Sequence, residues 1–466
     1  MESVTSSSSS APATFSLRGK PRSIELEAEG IHHPTGARFG GPLYTAYRDI
    51  THLASSSRAI WIGTRRSVYV IPRRAFVDPH GPEHLVRALL EHIARQPGGS
   101  AQLAHMAEIE ETAREVRSLR ATWALVIACA AIYAAQLLGG GNVYTVGYFA
   151  GGLAADGDWW RIVTGNLLHV NAVHLILNLL GLLAVGSIVE RALGTAATAC
   201  VMAASGLGAM AAAWWSPLPV VGVSGIVFGL LAAALWIELC FGGELPAWWR
   251  VPRRALFGAT ALSTLISFLP FVAGGAHAGG FAAGGLAAAA LAPRGLRLDP
   301  SGIGLRTAAG VSAAVAAFAI AAAGYELLRD GEFAARFAAR LARLPDVSAN
   351  ELNNHAWTIA VDERSSPALL EAALELAERA ADETQHSEPY ILDTLAEVHF
   401  QLGHRVEAVA AIDEAIQRAP GEDYYREQRR RFLGERDPED RPDYVPPEQR
   451  ESEPEHEAPD EGGLSV

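Results

Sequence analysis

The chain has 466 residues, half of them hydrophobic but only 8% aromatic, with 45 glycines and a formal net charge of −13. That balance excludes a nucleic-acid binder, which needs clustered Lys and Arg to meet phosphates. The three cysteines, Cys129, Cys200 and Cys240, all fall inside apolar stretches and make neither a disulfide framework nor a zinc pattern, so no cofactor or metal is expected.

In chain order, residues 1–22 are Ser-rich, lack the apolar core of a cleavable signal peptide, and are expected to form a disordered tail. Residues 23–97 have the pattern of a small soluble α+β domain. Apolar and polar residues alternate over 24–27, two strands are predicted at 58–63 and 67–71 around a Thr64-Arg65-Arg66 turn, and an amphipathic helix at 82–94. The histidines of this module, His32, His33, His52, His80 and His84, have no metal-ligand spacing. Residues 98–118 form a linker or juxtamembrane helix.

Seven apolar runs follow, at 121–139, 165–187, 195–215, 222–241, 255–273, 276–293 and 305–325. Runs of about 18 to 20 residues are long enough to cross a bilayer, and their abundance of Ala and Gly suits close helix packing in lipid. The fold class expected is an all-α polytopic membrane protein with seven transmembrane helices over residues 119–325, flanked by the N-terminal α+β module and a C-terminal helical region. Arg114, Arg117 and Arg120 before the first span place the N-terminus in the cytoplasm. Parity puts the loops carrying Arg250, Arg253 and Arg254, and Arg294 and Arg297, on the same side. An odd count leaves the C-terminal region outside the cytoplasm, although Arg329, Arg336, Arg340 and Arg343 fit that side awkwardly.

After a linker at 326–348, residues 349–433 carry tetratricopeptide-like spacing. Ala396, Gly403, Ala408, Ile412, Ala415 and Pro420 fall at the offsets of a helix-turn-helix whose small residues let paired helices approach, and Ala373, Ala377 and Ala380 repeat the second-helix pattern 35 residues earlier. Two repeats are counted, the first irregular, with 336–344 or 423–433 available to complete the stack. Residues 434–466, rich in Pro, Glu and Asp, are expected to be a disordered acidic tail.

The chemistry-bearing residues lie in the spans. Ser224, in Gly222-Val223-Ser224-Gly225, opens the fourth apolar run, and His277 opens the sixth. The chain crosses the membrane twice between them, so both side chains return to one face at similar depth. His174 lies in the first turns of the second span, running inward from that face, and Asn178 sits one turn deeper on the same helical side. His169, five residues before His174, would lie about 140° away and point elsewhere. Polar side chains in lipid are costly and are usually functional or paired, and acyl transfer needs a hydroxyl, a base and oxyanion donors. Gly225 and Gly229, with Gly280 and Gly284, offer small-residue faces that would bring the fourth and sixth spans together. A lone Ser at a helix start is more often an N-cap. An α/β-hydrolase elbow is excluded, since Gly222-Val223-Ser224-Gly225-Ile226 lacks the second glycine and no strand precedes it.

The segments His169-Val170-Asn171-Ala172-Val173-His174 with Asn178, Gly222-Val223-Ser224-Gly225, Ala276-His277-Ala278-Gly279-Gly280 with Gly284, and Trp160-Arg161 together resemble the rhomboid family of intramembrane serine proteases, over residues 119–325. The resemblance implies a serine endopeptidase with a Ser-His dyad and no third acidic member. Ser224 would be the nucleophile, His277 the general base and then acid, and His174, Asn178 and the Ser224 amide the oxyanion donors. It further implies single-pass transmembrane substrates cut near the extracytoplasmic face, and a six-helix core with one added helix. The alternative from another class is a catalytically silent, rhomboid-like membrane adaptor that recruits proteins through residues 349–433.

Overall fold

The computed structural model describes residues 13–18, 22–33, 43–114, 118–139, 141–216, 218–269, 273–292, 296, 302–328, 332–345 and 347–442. The acidic tail beyond residue 442, and Arg117, Arg294, Arg297 and Arg329, lie outside the described residues. The chain divides into two compact units, Met1–Glu326 and Leu327–Val466.

The first unit begins with two antiparallel sheets, β1 (Ala13–Leu17), β2 (Arg22–Leu26), β3 (Gly30–His32) and β4 (Tyr44–Ala46) in sequential order, then β5 (Ile50–Ser55), β6 (Ala59–Thr64) and β7 (Val68–Pro72). β1 falls within the stretch expected to be a disordered tail. Its Ala13 to Leu17 pair with Leu26 to Arg22, and Phe15 and Leu17 pack against the module's core. The surrounding serines hid a five-residue alternation that needs β2 to become a strand. Helix α1 (Gly81–Arg95) buries Leu85, Leu89 and Ile93, one every four residues, against Ile24, Leu26, Ile60 and Ile62. Helix α2 (Gly99–Arg114) follows, in the segment expected to be a linker or juxtamembrane helix.

Helices then run in succession: α3 (Arg120–Gly139), the short α4 (Gly141–Gly147), α5 (Gly151–Ala155) and α6 (Arg161–Thr164), then α7 (Ala172–Leu193), α8 (Thr195–Ala212), α9 (Ser224–Phe241), α10 (Arg253–Ile266), α11 (Gly274–Leu291) and α12 (Ile303–Leu328). Among the described residues five helices, α3, α7, α8, α9 and α12, are long and apolar enough to cross a membrane. α10, with 14 residues, and the Gly- and Ala-rich α11 stand where the fifth and sixth spans were expected but fall short of that measure. Gly194, at φ +82°, lets α7 turn directly into α8. Glu190, near the end of α7, is 1% exposed and accepts the backbone N–H groups of Ala121 and Thr122 and the hydroxyls of Thr122 and Thr195. A carboxylate thus caps the open first turn of α3, where anionic charge is favoured.

Helix α11 lies in a cleft between α8 and α9 whose closest contacts are made at glycines. A Cβ on Gly280 would stand 2.1 Å from the Gly225 carbonyl oxygen, one on Gly284 2.4 Å from the Gly229 Cα, and one on Gly279 2.2 Å from the Gly208 carbonyl oxygen. The two glycine pairs picked out by spacing therefore meet, and α8 supplies a third contact surface with Gly208.

The β-module docks on the segment joining α9 to α10. Arg250, buried, pairs with Glu238 and reaches the Thr64 and Arg65 carbonyls, while Arg253 donates to the Arg65 carbonyl at 2.9 Å. His52, fully buried, accepts the Ala247 N–H at its Nδ1 (3.0 Å) and meets Glu110 of α2 at its Nε2 (3.3 Å). The predicted β6–β7 turn is therefore a docking element, and the module and the α9–α10 segment share one side of the helical bundle.

In the second unit, α13 (Phe333–Leu341) occupies part of the stretch expected to be a linker and packs on α15 (Pro367–Glu383). Its buried Phe333, Phe337 and Leu341 repeat every four residues, a period obscured in the sequence by the intervening arginines. α14 (Ala349–Ala360), opened by a Ser348–Glu351 capping box, pairs with α15, and α16 (Pro389–Gln401) pairs with α17 (Arg405–Arg418) across Gly403 at φ +80°. Ala373, Ala377, Ala380, Ala396, Ala408, Ile412 and Ala415 are all fully buried in these contacts. α18 (Asp423–Phe432) closes the unit, with Arg431 buried against Glu397 of α16.

Gly284→Val drives side-chain atoms into the Gly229 backbone and should cost about 1 to 3 kcal/mol, read as a lower unfolding midpoint in detergent. Gly310→Ala on α12, where a Cβ meets nothing within 4 Å, should leave that midpoint unchanged or raise it. Burial holds the His52 pKa below the ordinary histidine value against the opposing pull of Glu110. A depressed histidine pKa means the docked ring is neutral, so stability is full above the unfolded value and is lost as pH falls through it toward the folded value. Acidifying from about pH 7.5 to about 5.5 should therefore lower the protection of β6 amides relative to their intrinsic exchange rates, and His52→Gln should flatten that dependence.

Candidate active site

Ser224 is the first residue of α9, but the N-cap is Val223, which makes no side-chain capping bond. The Ser224 hydroxyl instead lies 2.9 Å from His277 Nε2. It is half-buried, at a helix N-terminus whose first N–H groups have no intrahelical acceptor. Two backbone ties hold the approach to Ser224. Phe149 and Val220 exchange N–H···O bonds of 3.0 and 2.9 Å, and the Gly222 N–H donates to the Gly165 carbonyl at 2.9 Å.

His277 lies in the first turn of α11 and is 8% exposed. Its ring stacks on Phe228, with centroids 4.2 Å apart and planes within 13°. Phe228 stands four residues after Ser224, so α9 presents Ser224 and the packing surface of the His277 ring on one side. The ring's other nitrogen, Nδ1, lies 2.6 Å from the Ser267 hydroxyl at the end of α10. Sequence reasoning missed Phe228 and Ser267. The helical offset from Ser224 could have found Phe228, whereas nothing in the apolar run around Ser267 distinguished it.

His174 and Asn178 both face Gly222. A Cβ there would be 2.8 Å from His174 Cε1, 3.0 Å from His174 Nε2 and 3.6 Å from Asn178 Nδ2. Gly222 also sits at φ +119°, a region that side chains strain to occupy, so glycine is required there twice over. The Asn178 Nδ2 is buried with no hydrogen-bond partner. Buried donors are almost always bonded, so an unoccupied one beside Gly222 marks a place where an acceptor can bind. Asn171 caps α7 by accepting the His174 N–H at 2.9 Å, which fixes the start of the helix two residues before His174.

That cap corrects one expectation. His169 was assigned to the opposite side of a continuous helix, but α7 begins at Ala172 and His169 lies in the preceding turn. Its ring meets His174 edge to face at 5.2 Å, and its backbone is held by Gln136 of α3 in two bonds of 2.9 and 3.1 Å. Arg161, wholly buried, bonds Asp158 at 2.8 Å and the Thr145 and Tyr148 carbonyls at 2.7 and 2.9 Å, while Trp160 donates to the Val146 carbonyl at 3.0 Å. The Trp-Arg pair therefore anchors the segment of short helices, which in turn bonds to the backbone just before Ser224. A cavity of about 1180 Å³ between α12, α3 and α8 touches neither Ser224 nor His277.

The arrangement can carry out nucleophilic attack, with a hydroxyl bonded to an imidazole and the unpartnered Asn178 Nδ2 beside Gly222, two residues before Ser224. Among the described residues no group of His, Cys, Asp or Glu could hold a metal ion.

Residues 156–294 match the rhomboid domain, a stretch that holds Arg161, His174, Asn178, Ser224 and His277. Over 88 residues, 19% of its length, the chain is 41% identical to the rhomboid protease GluP of Bacillus subtilis (strain 168), covering 17% of that protein. It is 31% identical over 116 residues to the rhomboid protease AarA of Providencia stuartii, covering 21% of this chain and 39% of that one. It is also 32% identical over 138 residues to RHOMBOID-like protein 5 of Arabidopsis thaliana, covering 27% and 41%. The chain thus spans well under half the length of each of these relatives.

Proposed function

We propose, from the premise that this chain is a multi-pass membrane protein carrying a rhomboid domain, that it is a serine endopeptidase cutting single-pass transmembrane proteins within the cell membrane. The observation that carries this is the 2.9 Å bond between Ser224 and His277, made at the first turns of two apolar helices pressed together by glycine. Ser224 Oγ attacks the scissile carbonyl as His277 Nε2 takes its proton, and the imidazolium then protonates the departing amine. His174 Nε2, Asn178 Nδ2 and the Ser224 N–H receive the negative charge on the carbonyl oxygen. Donors fixed in place in a site shielded from water need no reorganisation as that charge develops.

Seven spans with the active site at the extracytoplasmic face remain the topology proposed. In support, the β-module touches the α9–α10 segment, which requires an even number of crossings between them, and α3, α7, α8 and α9 provide four. With the module in the cytoplasm, the first turns of α9 and α11 open on the opposite face. The helix pairs of residues 349–433, tightly packed through alanine, are proposed as tetratricopeptide-like repeats that bind proteins and present substrates. On seven spans they lie outside the cytoplasm.

Comparative membrane proteomics tests the enzymatic reading. Wild-type cells should release extracytoplasmic fragments of single-pass proteins that cells with Ser224→Ala or His277→Ala do not, and Asn178→Ala should slow their appearance by roughly 10²- to 10³-fold. Identical fragments from Ser224→Ala cells would sink the proposal. A phenotype intact in Ser224→Ala but lost on deletion of residues 349–433 would favour the adaptor.

A further inference from the structure

Ser267 has one hydroxyl proton, and its direction is set by α10. The Ser267 Oγ lies 2.8 Å from the Ser263 carbonyl oxygen, one turn back on the same helix. A carbonyl only accepts, so this bond is made with the Ser267 hydroxyl as its donor. Toward His277 Nδ1, 2.6 Å away, Ser267 can then only accept. The ring proton of a neutral imidazole must therefore be on Nδ1, which leaves Nε2 bare. The Ser224 hydroxyl, 2.9 Å from Nε2, is left to donate. One bond inside α10 thus fixes the direction of every bond from Ser263 to the nucleophile.

We propose that Ser267 is a positioning residue for the reaction at Ser224, holding His277 in the tautomer that can act as a base and accepting from Nδ1–H as the ring becomes a cation. This rests on the Ser224–His277 reading. In acyl transfer by a serine and a histidine, the second ring nitrogen must keep its proton and its orientation, a task commonly given to a carboxylate. Among the described residues no carboxylate bonds or ion-pairs with His277. The groups that face the ring are Ser224 and Phe228 from α9, Ser267 from α10, and His174 of α7, the titratable neighbour. A hydroxyl oxygen is a weaker acceptor than a carboxylate but can be placed in the apolar surroundings of a helix bundle without a buried charge. Because Ser267 caps α10, which packs on α9, the base is held only while the end of α10 stays beside the start of α11.

The test uses the full chain purified in detergent and a fluorophosphonate, whose rate of attachment to Ser224 reports the activated hydroxyl without any knowledge of the substrate. Ser267→Ala should slow attachment by roughly 10- to 100-fold, the effect of one hydrogen bond to a group that becomes charged. It should also move the acid limb of the rate-against-pH curve to lower pH, since a cation without its acceptor forms less readily. Ser267→Thr keeps the hydroxyl and should recover both the rate and the pH midpoint. A merely structural role for Ser267 would leave the midpoint in place. Wild-type rate and midpoint in Ser267→Ala, or a Ser267→Thr variant as impaired as the alanine, would overturn the proposal while leaving Ser224 as nucleophile. Wild-type labelling that persists in Ser224→Ala would overturn the active-site reading as well.

Discussion

The backbone contact between α9 and α11 is the constraint on which the site depends. Serine and histidine side chains are short, and a 2.9 Å bond between residues at the tops of two helices requires axes far closer than Leu-lined helices allow. Gly225 and Gly229 facing Gly280 and Gly284 let the two backbones touch along that seam, and Gly208 facing Gly279 does so between α8 and α11. Lipid offers little hydrophobic drive for helices to associate, so such close packing has to supply much of it. The same glycines therefore contribute both stability and the reach between the two side chains.

Around this seam the other elements act as fixtures. Arg161 and Trp160 hold the short helices, and these hold the strand-like pairing of Phe149 with Val220 just before Gly222. The bare Gly222 backbone leaves room for His174 and Asn178 to stand against it, two residues before Ser224. On the other side of the bundle, Arg250 joins Glu238 of α9 to the β6–β7 turn, so the β-module grips the base of the helix that carries Ser224 and the start of the helix that ends beside Ser267.

How much of this was legible in the sequence depends on the range of the interaction. Ser224, His277, His174 and Asn178 stood out because polar residues in apolar runs are rare, and the Gly pairs because a four-residue spacing is local. His169 was misplaced because the helix start is set by the Asn171 side chain, and a hydropathy run does not locate a cap. Ser267 was invisible because one hydroxyl near the end of an apolar run resembles any other until the fold sets it against Nδ1. β1 was lost in a serine-rich stretch for a related reason, since an isolated alternation becomes a strand only with a partner. The Arg250 contacts join residues 185 and 186 positions apart, beyond any periodicity.

The central claim is that Ser224 is a hydroxyl activated by His277. Intact-mass and peptide mass spectrometry of the full chain after fluorophosphonate treatment measures that directly. The account predicts a single adduct on the peptide containing Ser224, strongly reduced in His277→Ala and undiminished in a variant of another membrane serine such as Ser187→Ala. An adduct on a different residue, or equal modification of Ser224 with and without His277, would contradict it.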